Sequence, residues 1–310
     1  MRSSRINSKA KDMKKLSEST VIICGIVRDA ARGLKANIPV IKAFCERCKD
    51  YKVVIFENDS KDGTKHLLND WAKECPEHVF AMCSNTDGSR TIPRSREVKT
   101  NRFFCRQRIE KMARLRNQYL DYVEAQGWNA DYLMIVDLDV AQLFLDGIVS
   151  SFESGVEWDA VTAFGYSTSP RLKRRYHDTY ALTKWGEQDI PQTEAMTIHY
   201  ADELGSLNPT DDWVRIYSGF GGLAIYRFVA VKGLRYFVLS NADPMVEVRS
   251  EHVGLYKAMV ERGFDRFYIN PAMTLKYQIV TPKIVWNAVV RKLCKIGSSF
   301  STWLNNTEIT

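Results

Sequence analysis

Tyr132-Leu133-Met134-Ile135-Val136-Asp137-Leu138-Asp139 sets five apolar residues before two acids separated by one leucine. A short apolar run bounded by polar residues reads as a buried strand. Two carboxylates two positions apart then project from the same side of its carboxyl end. Held that close, they repel each other unless a cation lies between them. A hard divalent ion such as Mg2+ or Mn2+ suits all-oxygen ligands and keeps positions open for substrate phosphates. Asp137 and Asp139 are therefore candidate metal ligands, at the strand end where open α/β sheets bind their ligands. A solvated strand end is the competing reading, because so short a motif also arises by chance.

Upstream, Lys52-Val53-Val54-Ile55-Phe56 is a second buried-strand candidate, running into Glu57-Asn58-Asp59-Ser60-Lys61-Asp62-Gly63-Thr64. This is an acidic turn in which Gly63 can supply positive φ, and a helix is expected from His66 to about Lys73. Earlier still, Val21-Ile22-Ile23-Cys24-Gly25-Ile26-Val27 ends in Arg28-Asp29, with a helix-like stretch from about Leu34 to Cys48. Strand, helix, strand, helix and a third strand at the D-x-D motif predict an α/β fold. The central sheet should be Rossmann-like and mostly parallel, with helices on both faces.

The span from Arg90 to Arg116 is the most basic in the chain, opposed only by Glu97 and Glu110. Arginine suits planar, bidentate contact with phosphate oxygens. Ile109, Met112, Leu115, Tyr119 and Val123 recur at helical spacing, so Arg108, Arg114 and Arg116 cannot all point one way. Most of these charges are expected on a solvated face, with Arg108, Arg114 and Asn117 as the subset near a phosphate-bearing ligand. A nucleic-acid partner is not expected, because Phe103 and Phe104 are too few for a stacking platform.

In the second half, Ser218-Gly219-Phe220-Gly221-Gly222 opens a strand with glycines that let backbone approach a ligand; a bulge explains them equally well. Trp213, Tyr217 and Phe220 can offer aromatic faces to a sugar or pack in the core. Ser250-Glu251-His252-Val253 precedes an amphipathic helix to about Arg262, with Gly263 as its stop. Ser250 as N-cap puts Glu251 in the first turn, where the helix dipole stabilises a carboxylate.

The order Gly25-Ile26-Val27-Arg28-Asp29, Glu57 to Thr64, then Asp137-Leu138-Asp139 resembles the GT-A fold glycosyltransferases. Glu57 and Asn58 replace the two aspartates that commonly open the acidic turn there. More narrowly, Arg108-Ile109-Glu110-Lys111-Met112-Ala113-Arg114-Leu115-Arg116-Asn117 and Ser250-Glu251-His252-Val253-Gly254-Leu255 resemble the fungal capsule-associated α-1,3-mannosyltransferase family. The resemblance implies a GT-A fold and a metal-dependent transferase moving mannose or another hexose. The donor would be a GDP- or UDP-sugar, and the acceptor an oligosaccharide or lipid-linked saccharide.

The same resemblance distributes the roles. Asp139 is expected to hold Mn2+ or Mg2+ directly, and Asp137 to reach the metal through water or the ribose hydroxyls. Glu57 and Asp59 would face base and ribose, with Arg28 over the nucleotide or diphosphate. Glu251 would be the catalytic carboxylate: a base if the anomeric centre inverts, a charge stabiliser if it is retained, as the mannosyltransferase likeness favours. His252 is a candidate metal ligand or a helix cap. Gly221 and Gly222, with Trp213 and Tyr217, would line the acceptor side.

With 310 residues, 45% of them hydrophobic, the chain can bury one large α/β core, expected over residues 21–280. Residues 1–20 read as a flexible basic tail, and 281–310 as a basic amphipathic segment. That segment can rest on an anionic membrane surface or pack on the domain; net charge +7 suits anionic lipids or a diphosphate donor. No apolar stretch reaches the roughly 18 residues of a membrane span, and no signal segment is evident. The expectation is a cytoplasmic protein, with peripheral attachment to the inner face of a membrane left open. Seven cysteines lack metal or framework spacing and read as reduced structural thiols, Cys45 and Cys48 included.

Two other functions remain open on the sequence. A nucleotidyltransferase acting on a sugar phosphate would share the metal carboxylates, but Arg28-Asp29-Ala30-Ala31-Arg32-Gly33 lacks its glycine-rich, lysine-containing loop. A non-catalytic basic module binding glycan or nucleic acid would explain the charge but not the D-x-D motif.

Overall fold

Alternate residues along β1 (Thr20–Val27) serve opposite faces of a sheet. Val21 and Ile23 join one apolar cluster, Ile22 and Cys24 the other, and all four are fully buried. A strand buried on both faces belongs to a sheet covered by helices on both sides. In this computed structural model, which describes residues 13–85, 88, 90–169 and 173–278, β1 lies between β2 (Asp50–Asn58) and β4 (Tyr132–Val136). Beyond β2 comes β3 (Val79–Ser84), and all four strands are parallel. Helices α1 (Ala31–Cys45), α2 (Thr64–Glu74) and α4 (Leu145–Glu153) contribute to the first cluster, and α3 (Arg106–Ala125) to the second.

The sheet continues past β4 through β10 (Leu223–Arg227), β6 (Ala160–Thr168), β11 (Phe267–Lys276), β9 (Val214–Ser218) and β8 (Thr183–Lys184). β10 runs antiparallel to both neighbours, whereas β6 and β11 are parallel to each other. β5 (Gln142–Leu143) pairs with β11, and β7 (Arg174–Tyr176) with β6. Helices α5 (Glu194–Leu204), α6 (Phe228–Val231) and α7 (Glu251–Glu261) add Tyr200, Phe228 and Tyr256 to the second cluster.

The α/β architecture expected from the strand–helix alternation is present, with one strand more in its first half. β3 enters between α2 and the D-x-D strand; its partly buried residues lack the clean apolar run of its neighbours. Gly63 does not take the left-handed backbone expected of it: its φ is −74°, and Asp59 at φ 58° makes the turn instead. Of the tail expected over 1–20, residues 1–12 lie outside the described residues. Leu16, in contrast, is buried, and Lys14 Nζ lies 2.6 Å from Asp131 Oδ1, so the chain is anchored before β1 begins. The basic segment expected over 281–310 also lies outside the described residues. No described helix is long and apolar enough to cross a membrane. Cys45 and Cys48 are free thiols, with Cys48 Sγ donating to Phe44 O.

The D-x-D backbone is held from below by α1. A Cβ on Gly33 would lie 2.4 Å from Leu138 O and 2.7 Å from Asp139 Cα, so only glycine lets the helix approach this closely. One turn on, the buried Asn37 amide donates to Val140 O at 2.8 Å and to Leu138 O at 3.3 Å, and accepts from Leu143 N at 2.9 Å. Gly33→Ala should force α1 off this loop and lower stability by about 1–3 kcal/mol, the usual range for overpacking. Urea denaturation checks it; a loss within error of zero would show that the loop yields freely.

Candidate active site

Arg116 ties together three segments that are remote in sequence. It occupies the apolar stripe of α3 beside Ala113 and Leu120 and is buried. Its Nε donates to Glu251 Oε1 at 2.9 Å at the start of α7, and its Nη2 lies 3.8 Å from Asp137 Oδ1 at the end of β4. The guanidinium carbon sits 4.7 Å from the Phe220 ring centroid. A buried guanidinium requires counter-charge, and both carboxylates supply it.

Ser250 caps α7 as the sequence predicted, accepting from His252 N at 3.4 Å. His252 is buried with its ring stacked at 4.3 Å on Phe220 and edge-on at 5.3 Å to Tyr236; Nε2 lies 3.8 Å from Glu251 Oε1. Burial pushes its imidazole down to about 3, so the ring is neutral at physiological pH. Burial opposes ionisation of Glu251 as well, yet the facing cations and hydrogen bonds outweigh it and lower its pKa. With His252 neutral, the cation that counts at neutral pH is Arg116.

Asp137 is partly buried, its N–H donating to Gly222 O at 2.9 Å, and Asp139 is exposed. Desolvation raises both carboxyls; Asp137 is raised further by Asp139, Asp178 and Glu251, against the pull of Arg116. Gly221 and Gly222 take φ 63° and 88°, which brings this backbone against β6 and Tyr277: a Cβ on Gly222 would lie 2.7 Å from the Tyr277 hydroxyl.

Asp178, which no sequence pattern marked, joins this group from the loop after β7. It is a non-glycine residue at φ 63° and is partly exposed. Burial and repulsion from Glu251 push its carboxyl up to about 7, against Arg116, Arg108 and a hydrogen bond from the Gly221 backbone. Beside it, burial and the nearby Asp178, Asp137 and Asp139 hold the Tyr277 phenol well above its ordinary range. The His177 ring lies 3.6 Å from that of Tyr277, and burial pushes it down to about 4. Four carboxylates thus gather around one buried arginine.

The other predicted residues divide. Arg108 reaches the cluster electrostatically and donates to Phe103 O at 2.7 Å. Arg28 and Asp59 stand at the ends of β1 and β2, one and two strands from β4, Asp59 with its strained φ of 58°. Glu57 is fully buried beneath that turn: Oε1 accepts from Ser60 N at 2.6 Å, and Oε2 lies 3.7 Å from Lys65 Nζ.

Several residues are not brought to the cluster. Asn117 clamps Tyr236, accepting from its N–H at 2.8 Å and donating to its carbonyl at 3.0 Å. Arg114 is exposed and lines a separate cleft of about 850 Å³ with Arg94 and Lys111. Trp213 packs edge-on to Tyr268, and Tyr217 lies 6.4 Å from Trp185, both at β9, four places from β4 in the sheet.

No group of three or more His, Cys, Asp or Glu side chains among the described residues forms a ready-made metal cage, so His252 does not complete one with the D-x-D pair. Its ring packs on Phe220 and against Tyr236, and neither ring nitrogen has a hydrogen-bond partner among the described residues. Asp137 and Asp139 still fit a hard cation that keeps several positions for water and phosphate: two neighbouring carboxylates, both resisting ionisation without a counter-ion.

No protein-family description matches the chain, and no curated protein matches it. Among solved structures it is similar to a mannosyltransferase from Pyrobaculum calidifontis in complex with GDP-Man and Mn2+, at TM-score 0.45 and 12% identity over 88% of this chain and 62% of that one. The chain thus spans less than two thirds of that protein's length. It is similar also to S. aureus TarS 1–349, at TM-score 0.43 and 10% identity over 83% of this chain and 59% of that one. For M. tuberculosis glucosyl-3-phosphoglycerate synthase the TM-score is 0.41 and the identity 10%, over 86% of this chain and 73% of that one.

Arg116→Met leaves Glu251 buried without its cation and should lower stability by about 3–5 kcal/mol in urea, more than Arg116→Met combined with Glu251→Gln. If the single and double variants lose equally, the ion pair is not what binds α3 to α7. A second expectation concerns pH. The raised carboxyls are protonated in the folded protein where the unfolded chain has already lost those protons. Their penalty is absent below about the ordinary 3.8, grows through about 7 for Asp178, and is full above it. Metal competes with those protons, so Mn2+ should raise the melting temperature more at about pH 8 than at about pH 5. Equal shifts at both would argue against a carboxylate-bound ion.

Proposed function

We propose that this chain is a GT-A type glycosyltransferase that moves a hexose from a nucleoside-diphosphate sugar to a saccharide acceptor, with help from a divalent metal. The observation that carries it is the pair Asp137 and Asp139 at the carboxyl end of β4, beside a buried arginine whose Nη1 has no hydrogen-bond partner among the described residues. Asp139, the more exposed of the two, would hold Mn2+ or Mg2+, with Asp137 beside it. When bound, the ion supplies Lewis-acid stabilisation to the departing diphosphate. Arg28 and Asp59 face the same end of the sheet and suit nucleotide contacts, whereas Gly221 and Gly222 are taken up in packing on β6 and Tyr277. Glu251, buried and paired, keeps Arg116 charged and oriented. Mannose from a GDP-sugar, or another hexose from a UDP-sugar, fits this reading, as does an oligosaccharide or lipid-linked acceptor. A basic segment over 281–310 would suit an acceptor presented at an anionic membrane surface.

A nucleotidyltransferase is less well served. The loop after β1 has no lysine-bearing glycine run, and Gly33 is occupied in packing on Leu138. A binding module needs no four converging carboxylates. The distinguishing test is a thermal-shift panel of GDP-mannose, UDP-glucose and UDP-N-acetylglucosamine with and without Mn2+. At least one donor should stabilise the protein only with Mn2+, and Asp139→Asn should abolish that shift while its own melting temperature without donor stays within a few degrees. Release of pyrophosphate rather than a nucleoside diphosphate would sink the transferase reading.

A further inference from the structure

Two large apolar side chains stand exposed beside the most basic stretch of the chain. Phe103 is 41% exposed and Met245 44%. They belong to loops remote in sequence that the backbone ties together: Asn101 N donates to Met245 O at 3.1 Å, and Phe103 N to Asn101 Oδ1 at 2.9 Å. Arg108 Nη1 donates to Phe103 O at 2.7 Å, so the start of α3 holds the same loop. Along that loop Arg94, Arg96, Lys99 and Arg102 are exposed, and the Arg102 guanidinium carbon lies 4.9 Å from the Phe103 ring centroid. Arg94 shares its cleft with Arg114 and Glu247. The acids here are engaged. Glu97 accepts from Arg94 N at 2.9 Å, Glu110 and Glu247 lie 3.4 and 3.7 Å from the Arg106 guanidinium, and Asp243 accepts from the N–H groups of Met245 and Val246. An apolar tip thus stands in an excess of positive charge. It lies at the carboxyl end of the sheet, because the loop leaves β3 there and α3 runs back from it to reach β4, parallel to β1 and β2.

We propose that this surface seats the protein on an anionic bilayer. Phe103 and Met245 enter the headgroup boundary, while Arg94, Arg96, Lys99 and Arg102 meet the lipid phosphates. Apolar side chains gain by leaving water at that depth, and the long basic side chains keep their charged ends at the phosphate level. Other partners fit less well. The centre of a protein interface is depleted of charge, and of lysine in particular. Single-stranded nucleic acid needs successive ring faces on which to stack, and Met245 offers none. The two loops lead into α3 and α7, which carry Arg116 and Glu251, so the bilayer would lie beside the mouth of the candidate active site. The proposal goes beyond the glycosyltransferase reading and does not depend on it. It is distinct also from the basic segment over 281–310.

Vesicle flotation tests this on the full chain, with neither donor nor metal present. The wild type should bind vesicles of phosphatidylcholine with phosphatidylserine, less as salt rises, and bind phosphatidylcholine alone about tenfold less or weaker still. Arg96→Glu with Lys99→Glu should weaken binding to the anionic vesicles about 30-fold or more, and Phe103→Ala with Met245→Ala about fivefold or more. Lys49→Glu with Lys73→Glu makes the same change of net charge at the other end of the sheet, before β2 and at the close of α2, and should bind within about threefold of the wild type. All six side chains are exposed, so each variant should melt close to the wild type. The proposal is overturned by a wild type that floats with neither vesicle, by either loop variant binding within about threefold of the wild type, or by the Lys49 and Lys73 variant losing as much as the Arg96 and Lys99 one. Tighter binding of single-stranded RNA than of the anionic vesicles would assign the surface to nucleic acid and overturn it as well.

Discussion

A single buried cation organises the cleft. Arg116 lies between Asp137 at the end of β4 and Glu251 at the start of α7, its guanidinium against Phe220. The two carboxylates are 114 residues apart, from 137 to 251, and would repel if brought together without it. The dry setting makes the pairing strong and its loss severe: removing one partner of a buried pair leaves the other charge without water or counter-ion. Arginine suits the task better than lysine, since its planar fork donates to one acid while turning toward a second and still offers a face to the ring. Once Arg116 is fixed, the separation of α3, β4 and α7 is fixed too, and the D-x-D motif faces α7.

Charge alone would leave the loops loose, and backbone contacts hold them. α1 reaches the D-x-D loop through Gly33 and Asn37, and Asp137 N donates to Gly222 O from the other side. The turns after β1 and β2 are laced to each other: Lys61 N donates to Asp29 Oδ1 at 2.7 Å, Asp29 N to Ser60 Oγ at 2.9 Å, and Ala30 N to Thr64 Oγ1 at 2.7 Å. Much of the acidic turn is therefore spent on scaffolding. Asp29, Asp59 and Asp178 all take left-handed backbone, at φ 50°, 58° and 63°. All three sit at strand ends or their loops, where backbone strain commonly accompanies binding.

The parts of this arrangement that were legible in sequence are those with a local signature. The strands at 21–27, 52–56 and 132–136 are apolar runs bounded by polar residues, and each appears; so does the Ser250 cap of α7. α1 starts three residues before the expected Leu34, because Ala30 and Ala31 are capped by Thr64 and Asp62 from another loop, which no window around residue 30 could show. Arg116 carried a signal that was passed over: with Ile109, Ala113, Leu120 and Val123 it occupies one helical stripe, and a charge in the middle of an apolar stripe is anomalous. Helical spacing shows that Arg108, Arg114 and Arg116 cannot share a face but not which of them turns inward, and in the fold Arg114 is exposed while Asn117 clamps Tyr236. Asp178 had no signal, since its place depends on pairing of β7 with β6 and on a turn that only the tertiary structure defines. Trp213 and Tyr217 are aromatic side chains that the packing used at β9.

Glu251 and Asp178 face the same arginine and are pushed in opposite directions. Glu251 is held ionised because Arg116 donates to it directly; Asp178 is raised because burial and the Glu251 charge outweigh Arg116 and Arg108 at longer range. The difference follows from contact: one cation cannot neutralise four carboxylates, so the acid nearest to it takes most of the benefit and the rest inherit its repulsion. Asp137, Asp139 and Asp178 are left short of positive charge by this distribution. A divalent ion at the D-x-D pair would remedy most of that deficit and a phosphate-bearing ligand would then complete the balance.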